Sequence, residues 1–143
     1  MEERIKKDIE LFEKNITKVK NKRIKDMATR YYEDAKYYFE QGDLKRAFQN
    51  YRKALELNSR SIEAYTGLGN IALKKAKPEI ALQLYLKALK IEPENAQLHY
   101  NIGICYELLQ DKERARKSFE QALQIWPDYK KAKEHLKWLN QSQ

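Results

Sequence analysis

The residues of this sequence best suited to chemistry are two histidines, His99 and His135, and a single cysteine, Cys105. A catalytic histidine needs a nucleophile or a paired carboxylate beside it, and the spacing of the sequence supplies neither. One cysteine excludes an intramolecular disulfide, and a thiolate zinc site would need ligands that the sequence lacks. We therefore expect no catalytic or metal site, and we expect Cys105 and His99 to be packed side chains.

The sequence also contains no glycine-rich phosphate-binding loop. Gly67 and Gly69 lie within a segment of helical character, whereas a phosphate loop follows a strand and opens a helix. The sequence therefore predicts no nucleotide or other cofactor. We do not expect the protein to be an enzyme.

The composition favours helices joined by short turns. The 143 residues include only 4 Gly and 3 Pro, and Leu, Ala, Lys, Glu and Gln are abundant. No apolar run approaches the roughly 20 residues that span a bilayer, and the N-terminus is charged from Glu2 onward. We expect an all-α protein that is soluble and cytoplasmic, with no membrane partner.

The formal net charge of +8 is concentrated at the two ends of the chain. Residues 1–27 hold nine Lys or Arg against six Asp or Glu, and residues 130–143 hold four against one. Basic ends can attract nucleic acid, but Lys-rich helix faces are more often solvated surface that keeps a protein soluble. Nucleic acid is therefore not the expected partner.

A period of 34 residues runs through the middle of the chain. Ala47, Ala81 and Ala115 recur at this spacing. The other recurring sets are Tyr51, Tyr85 and Phe119; Ala54, Ala88 and Ala122; Tyr31, Tyr65 and His99; Ala35, Gly69 and Gly103; and, where the chain reverses, Gly42, Ala76 and Gln110. Each period therefore predicts two helices. Small residues let the two helices approach closely, and the aromatic fills the space beside the contact.

This pattern predicts both the core and the helix ends. Asp43 and Asp111 can cap the second helix of a unit, Ser61 and Asn95 can cap the first, and Pro78 suits a first helical turn. The predicted core consists of Ala47, Tyr51, Ala54, Leu68, Gly69, Ala81, Tyr85, Ala88, Ile102, Gly103, Ala115, Phe119 and Ala122.

A 34-residue helix-turn-helix period with small, aromatic and proline positions of this kind resembles the tetratricopeptide repeat family. The resemblance covers 28–61, 62–95 and 96–129, and residues 130–143 begin the pattern again as a capping helix. It implies an α-solenoid of antiparallel helix pairs and a protein-protein interaction scaffold. The first unit departs from the pattern at Asp34 and at Ser59, so that it is expected to be looser or capped differently.

Residues 1–27 precede the repeats. Ile5, Ile9, Phe12, Ile16 and Val19 are spaced four, three, four and three, which is a heptad seam on an otherwise charged helix. Two interpretations are open. The helix folds back as a cap on the first repeat, which we favour because the seam is short for an independent coiled coil, or two chains pair along residues 5–19 as a homodimer.

The segment from Tyr31 to Lys36, followed by Gly42, Asp43 and Leu44, also resembles a small archaeal helical family of unknown function. This second resemblance is consistent with a separate ancestry for residues 1–57. It implies no activity.

The tetratricopeptide resemblance implies where a ligand binds. In that family the first helix of each unit lines a concave groove that receives a peptide or a helix of a partner protein. The corresponding groove residues are Tyr32, Lys36, Phe39, Thr66, Asn70, Leu73, Gln97, Tyr100, Asn101, Ile104, Lys131, His135 and Trp138. Phe39 and Trp138 are either binding anchors or covers for a neighbouring core.

Some members of the family hold a C-terminal carboxylate with Lys, Asn and Arg side chains from three helices. Asn70, Asn101 and Lys131 occupy matching places here, while Thr66 and His135 replace a Lys and an Arg. The resemblance thus implies a peptide that ends in a free carboxylate or is acidic. The alternative function is a self-associating structural module or an RNA-binding accessory protein. Binding that is lost between low and physiological salt would indicate phosphate contacts and so RNA.

Overall fold

The computed structural model describes residues 1–142, and these residues form seven α-helices and no strand. The helices are α1 (Glu2–Glu40), α2 (Leu44–Leu57), α3 (Ile62–Lys74), α4 (Pro78–Ile91), α5 (Ala96–Leu108), α6 (Lys112–Ile125) and α7 (Lys130–Gln141). Consecutive helices pack together along the chain. The predicted all-α solenoid is confirmed.

Most of the helices begin at a residue whose side chain caps them. Asp43 accepts from the Arg46 N–H at 3.1 Å, and Asp111 accepts from the Arg114 N–H at the same distance. Ser61 and Asn95 make the equivalent bonds at the starts of α3 and α5. These oxygens satisfy backbone donors that have no partner within the helix, so all four predicted caps are confirmed.

The turns inside the three helix pairs have one shared backbone conformation. Gly42, Ala76 and Gln110 have φ angles of 80°, 56° and 61°, in the left-handed region. The residue after each of them donates to a carbonyl five residues earlier, as the bond from Asp43 N to Tyr38 O shows at 2.9 Å. This is the hydrogen-bond pattern of a Schellman helix end, which reverses the chain without leaving carbonyls unpaired.

The core lies between the paired helices. All thirteen predicted core residues are buried. A Cβ atom built on Gly103 would lie 2.6 Å from the Phe119 ring, and one built on Gly69 would lie 2.5 Å from the Tyr85 ring. Real Cβ atoms do not approach so closely, so the glycines allow the helices to meet across an aromatic ring.

The N-terminal segment differs from the arrangement that we favoured. It does not fold back on the first repeat, because residues 2–40 form one continuous helix of 39 residues. Residues 20–31 contain no Gly or Pro that could break the helix. The predicted N-terminal helix and the first helix of the first repeat are therefore a single element, and the chain has seven helices within residues 1–142.

The last helix, α7, covers the end of the array. Ala132 and Leu139 are fully buried, and Leu136 packs against the same cluster as Phe119. Its lysines are exposed. Gln143, the final residue of the predicted capping element, lies outside the described residues.

Candidate functional site

The first helices of the successive pairs, α1, α3 and α5, line a surface pocket of about 450 Å³. Six of the predicted groove residues lie in it, namely Tyr32, Lys36, Phe39, Thr66, Asn70 and Gln97. Phe39 and Asn70 extend it to Leu73 through an adjoining shallow depression. We call this the first pocket.

Two of its polar side chains are held in place by neighbours. The Tyr85 hydroxyl donates to the Asn70 side-chain carbonyl at 2.5 Å. This bond turns the Asn70 oxygen toward Tyr85, which leaves the amide N–H groups to donate to a ligand. The Lys36 ammonium lies 5.6 Å from the centre of the Tyr32 ring, within the range of a cation–π contact.

The aromatic groups of the first pocket are partly buried. Burial raises the pKa of Tyr32, and it raises the pKa of Tyr51, which also lines the pocket, to about 12. Both hydroxyls are therefore neutral at physiological pH. Phe39 packs against the core cluster that contains Tyr51 and also lines the pocket, so it covers the neighbouring core, and its role as a binding anchor stays a prediction.

The first pocket is also lined by three carboxylates that the sequence analysis did not include. Glu40 ends α1, Glu63 lies in the first turn of α3, and Glu92 follows α4. In a sequence, a charged residue at a helix end cannot be distinguished from ordinary solvated surface. The sequence therefore does not predict that these three carboxylates share one pocket. Three carboxylates against the ammonium of Lys36, with Lys74 in the adjoining depression, still leave this pocket with an excess of negative charge.

A second pocket, of about 390 Å³, lies at the other end of the groove. His135 and Trp138 line it together with Glu107 and Glu134. The His135 Nδ1 atom lies 3.1 Å from a Glu107 carboxylate oxygen, and the His135 ring stacks on Phe119 with 5.3 Å between centroids. Trp138 remains 55% exposed, which leaves its ring accessible to a ligand.

The remaining groove residues are not brought into either pocket. Tyr100 and Ile104 pack against the α6–α7 core cluster, and the Tyr100 ring contacts those of Phe119 and His135. Asn101 is partly buried and Lys131 is exposed. Asn70 therefore lies in the first pocket, whereas the other two residues of the suggested carboxylate clamp line neither pocket.

The other chemically notable residues have structural surroundings. His99 donates from Nε2 to the Pro93 carbonyl at 2.9 Å, and Cys105 is buried with its thiol pKa raised to about 12 by desolvation. Within residues 1–142, no group of three or more His, Cys, Asp or Glu side chains could hold a metal ion. None of the helices described is both long enough and apolar enough to cross a membrane.

Family models identify the repeats. A model described as tetratricopeptide repeat matches residues 66–130, and one described as TPR repeat matches residues 35–75. The chain is a tetratricopeptide-repeat protein. A third model, a protein family of unknown function (DUF357), matches residues 2–54, which agrees with the second resemblance noted for this region.

Curated relatives match part of the chain. The tetratricopeptide-repeat chain is 39% identical over 90 residues to the human protein O-mannosyl-transferase TMTC3. The match covers 62% of this chain and 10% of that protein. It is 30% identical over 106 residues to the photosystem I assembly protein Ycf3 of Synechococcus sp. (strain CC9605), covering 67% of this chain and 61% of that protein. The chain thus spans less than two thirds of either relative.

Solved structures show the same fold. The first tetratricopeptide domain of Spaghetti (RPAP3), bound to the HSP90 peptide SRMEEVD, superposes with a TM-score of 0.78 at 21% identity. The match covers 82% of this chain and 93% of that domain. At this identity the likeness concerns the fold alone.

Proposed function

We propose that the protein is an interaction module that holds a segment of a partner protein in the groove formed by α1, α3, α5 and α7, and that this segment carries basic side chains. The observation that carries the proposal is the charge of the groove. Five carboxylates line the two pockets, although the chain as a whole has a net charge of +8. A Lys or Arg side chain can make charge-assisted hydrogen bonds to such carboxylates.

The other features of the groove suit a peptide. Phe39 and Trp138 offer apolar and aromatic surface at the two ends, and aromatic residues with few rotatable bonds are frequent anchors at interfaces. The Asn70 amide, oriented by Tyr85, can donate to a peptide carbonyl between them. Another protein of this fold, the first tetratricopeptide domain of Spaghetti (RPAP3), is bound to the HSP90 peptide SRMEEVD, which supports a peptide as the ligand.

Titration with matched peptides tests the proposal. Peptides that differ only in Lys or Glu at one position are measured against the wild type and Glu63→Gln. We expect the Lys peptides to bind more tightly, and Glu63→Gln to weaken them about five-fold, because a partly exposed charge-assisted bond contributes about 1 kcal/mol. Glu120→Gln, which removes an exposed carboxylate on α6 outside the groove, is the control.

Three results would contradict the proposal. Tighter binding of the Glu peptides, lost on amidation of the peptide C-terminus and on Lys131→Ala, would show an acidic or free-carboxylate ligand instead. Equal binding of both peptide sets would show a groove that reads no charge. Salt-sensitive binding of single-stranded RNA, without competition from any peptide, would favour the nucleic-acid function.

A further inference from the structure

The first half of α1 presents an uncovered apolar stripe. Residues 1–23 are all exposed. The five seam residues Ile5, Ile9, Phe12, Ile16 and Val19 are between 50 and 68% exposed. Part of the stripe borders a surface depression of about 390 Å³ on α1. An apolar stripe of this length on a charged helix is typical of a surface that pairs with another helix.

We propose that this seam pairs with the seam of a second copy of the chain in an antiparallel two-helix coiled coil. The proposal does not depend on the groove function, because the seam and the groove share no residue. Charge complementarity identifies the occupant and its direction. The continuous helix explains how so short a seam can pair.

The short seam is already helical before it meets a partner. An isolated peptide of under three heptads must first form a costly helical nucleus. Here residues 2–23 extend a helix whose later part is held by the repeats, since Ala35 is fully buried and Tyr32 and Phe39 pack against the core cluster that contains Tyr51. The folded repeat thus supplies the nucleus, and the shortness of the seam no longer opposes pairing.

The heptad spacing defines how two such helices meet. Ile9 and Ile16 occupy a positions, and Ile5, Phe12 and Val19 occupy d positions. In an antiparallel pair a residues face d residues. Ile5 then faces Ile16 of the partner subunit, and Ile9 faces Phe12 of the partner subunit. Each Phe12 ring therefore packs against an isoleucine.

The flanking charges favour this arrangement. Lys6 and Glu13 occupy e positions, and antiparallel pairing brings Lys6 beside Glu13 of the partner subunit twice, by symmetry. Parallel pairing would instead bring Asp8 beside Glu13 of the partner subunit. It would also place two Arg23 side chains against each other at an a position. Like charges at these positions are destabilising, so the antiparallel pair is favoured.

The repeats leave room for this pairing. In the same register Val19 faces Glu2 of the partner subunit, so the paired segment ends before Ile24. Ile24 is the first residue of α1 that is partly buried, and it lies in a cleft with Asn58 and Ser61 of the α2–α3 connection. The two repeat arrays therefore lie beyond opposite ends of the paired helices, away from the seam.

Sedimentation equilibrium of the full chain tests the pairing. We expect a dimer for the wild type and a dissociation constant at least about 100-fold weaker for Phe12→Lys, because a charge replaces a central apolar residue. Leu11→Lys is the matched control, since Leu11 is 59% exposed against 65% for Phe12 but lies off the seam, and it should leave the dimer intact. Circular dichroism shows that each variant keeps its helices.

Charge reversal tests the direction. Glu13→Lys should weaken the dimer about tenfold, because two attractive pairs become repulsive, and the double variant Lys6→Glu with Glu13→Lys should restore it. Tighter association of Glu13→Lys would indicate parallel helices and would overturn the proposal. A wild-type monomer at every concentration, or dimers unaffected by Phe12→Lys, would overturn it as well.

Discussion

At the scale of single residues, the turn positions 42, 76 and 110 carry the clearest stability consequence. Only position 42 is a glycine, although all three have left-handed backbone. A non-glycine residue in this region costs about 1 kcal/mol or more, because its Cβ crowds the following carbonyl. Ala76→Gly and Gln110→Gly should therefore each raise the free energy of unfolding by several tenths of a kcal/mol to about 1 kcal/mol.

Urea denaturation measures this effect. Lys75→Gly serves as the control, because Lys75 has φ of −89° and glycine there adds only unfolded-state entropy, which should lower stability. Gly42→Ala should destabilise as well, although its Cβ would meet no atom within 4 Å. If Ala76→Gly lowers stability as Lys75→Gly does, backbone strain at the turn is not the cause.

The glycine contacts allow a second residue-scale prediction. Gly103→Leu should lower the free energy of unfolding by about 1–3 kcal/mol or more, because its Cβ would lie 2.6 Å from the Phe119 ring and the helices must separate. Thermal unfolding measures it. Gln121→Leu adds the same side chain at an exposed site on α6 and should leave the melting temperature nearly unchanged.

The repeated positions explain what the sequence revealed at this scale. Gly69 and Gly103 were identified because they recur with Ala35 at the same place in the 34-residue period. Gly67 was not, although a Cβ built on it would overlap the Tyr51 ring of the preceding helix. The equivalent residues in the other units are Glu33 and Asn101, so periodicity gives no signal for a contact that is made only once.

At the scale of elements, prediction succeeded for α2 to α7 and failed for α1. Four of the other helices begin at a capping side chain and α4 begins at Pro78, whereas residues 20–31 contain no Gly or Pro that would end a helix. The heptad seam was recognised from its spacing. What covers it depends on a tertiary contact, and an apolar stripe alone cannot distinguish a fold-back from a second chain.

The groove illustrates the same limit. Helix periodicity identified which residues of α1, α3 and α5 face outward, and six of them share the first pocket. Glu40, Glu63 and Glu92 join them although they lie at or beside the ends of three different helices. The sum of those charges is a property of the assembled array, and it changed the ligand chemistry that we propose.

At the scale of the whole molecule, buried titratable groups in successive repeats couple folding to alkaline pH. Burial raises the pKa of Tyr51 from 10.0 to about 12 and that of Cys105 from 9.0 to about 12. It also raises the pKa of Tyr85, which lies in the same core cluster as Cys105. Each of these groups is neutral when protonated, and folding disfavours its charged form.

The direction of the pH effect follows from these shifts. Because the folded-state pKa values are raised, the unfolded chain releases these protons first as the pH increases. Stability is therefore complete below about pH 9 and falls progressively between about pH 9 and pH 12, as the unfolded state gains the ionisation that the folded state resists.

Urea denaturation followed by circular dichroism at several pH values in this range should show the midpoint falling steadily. Tyr51→Phe removes one titrating group from a residue that lines the first pocket, so its midpoint should fall less steeply between pH 10 and pH 12 than that of the wild type. Identical slopes for the two proteins would show that ionisation of Tyr51 is not coupled to unfolding of the array.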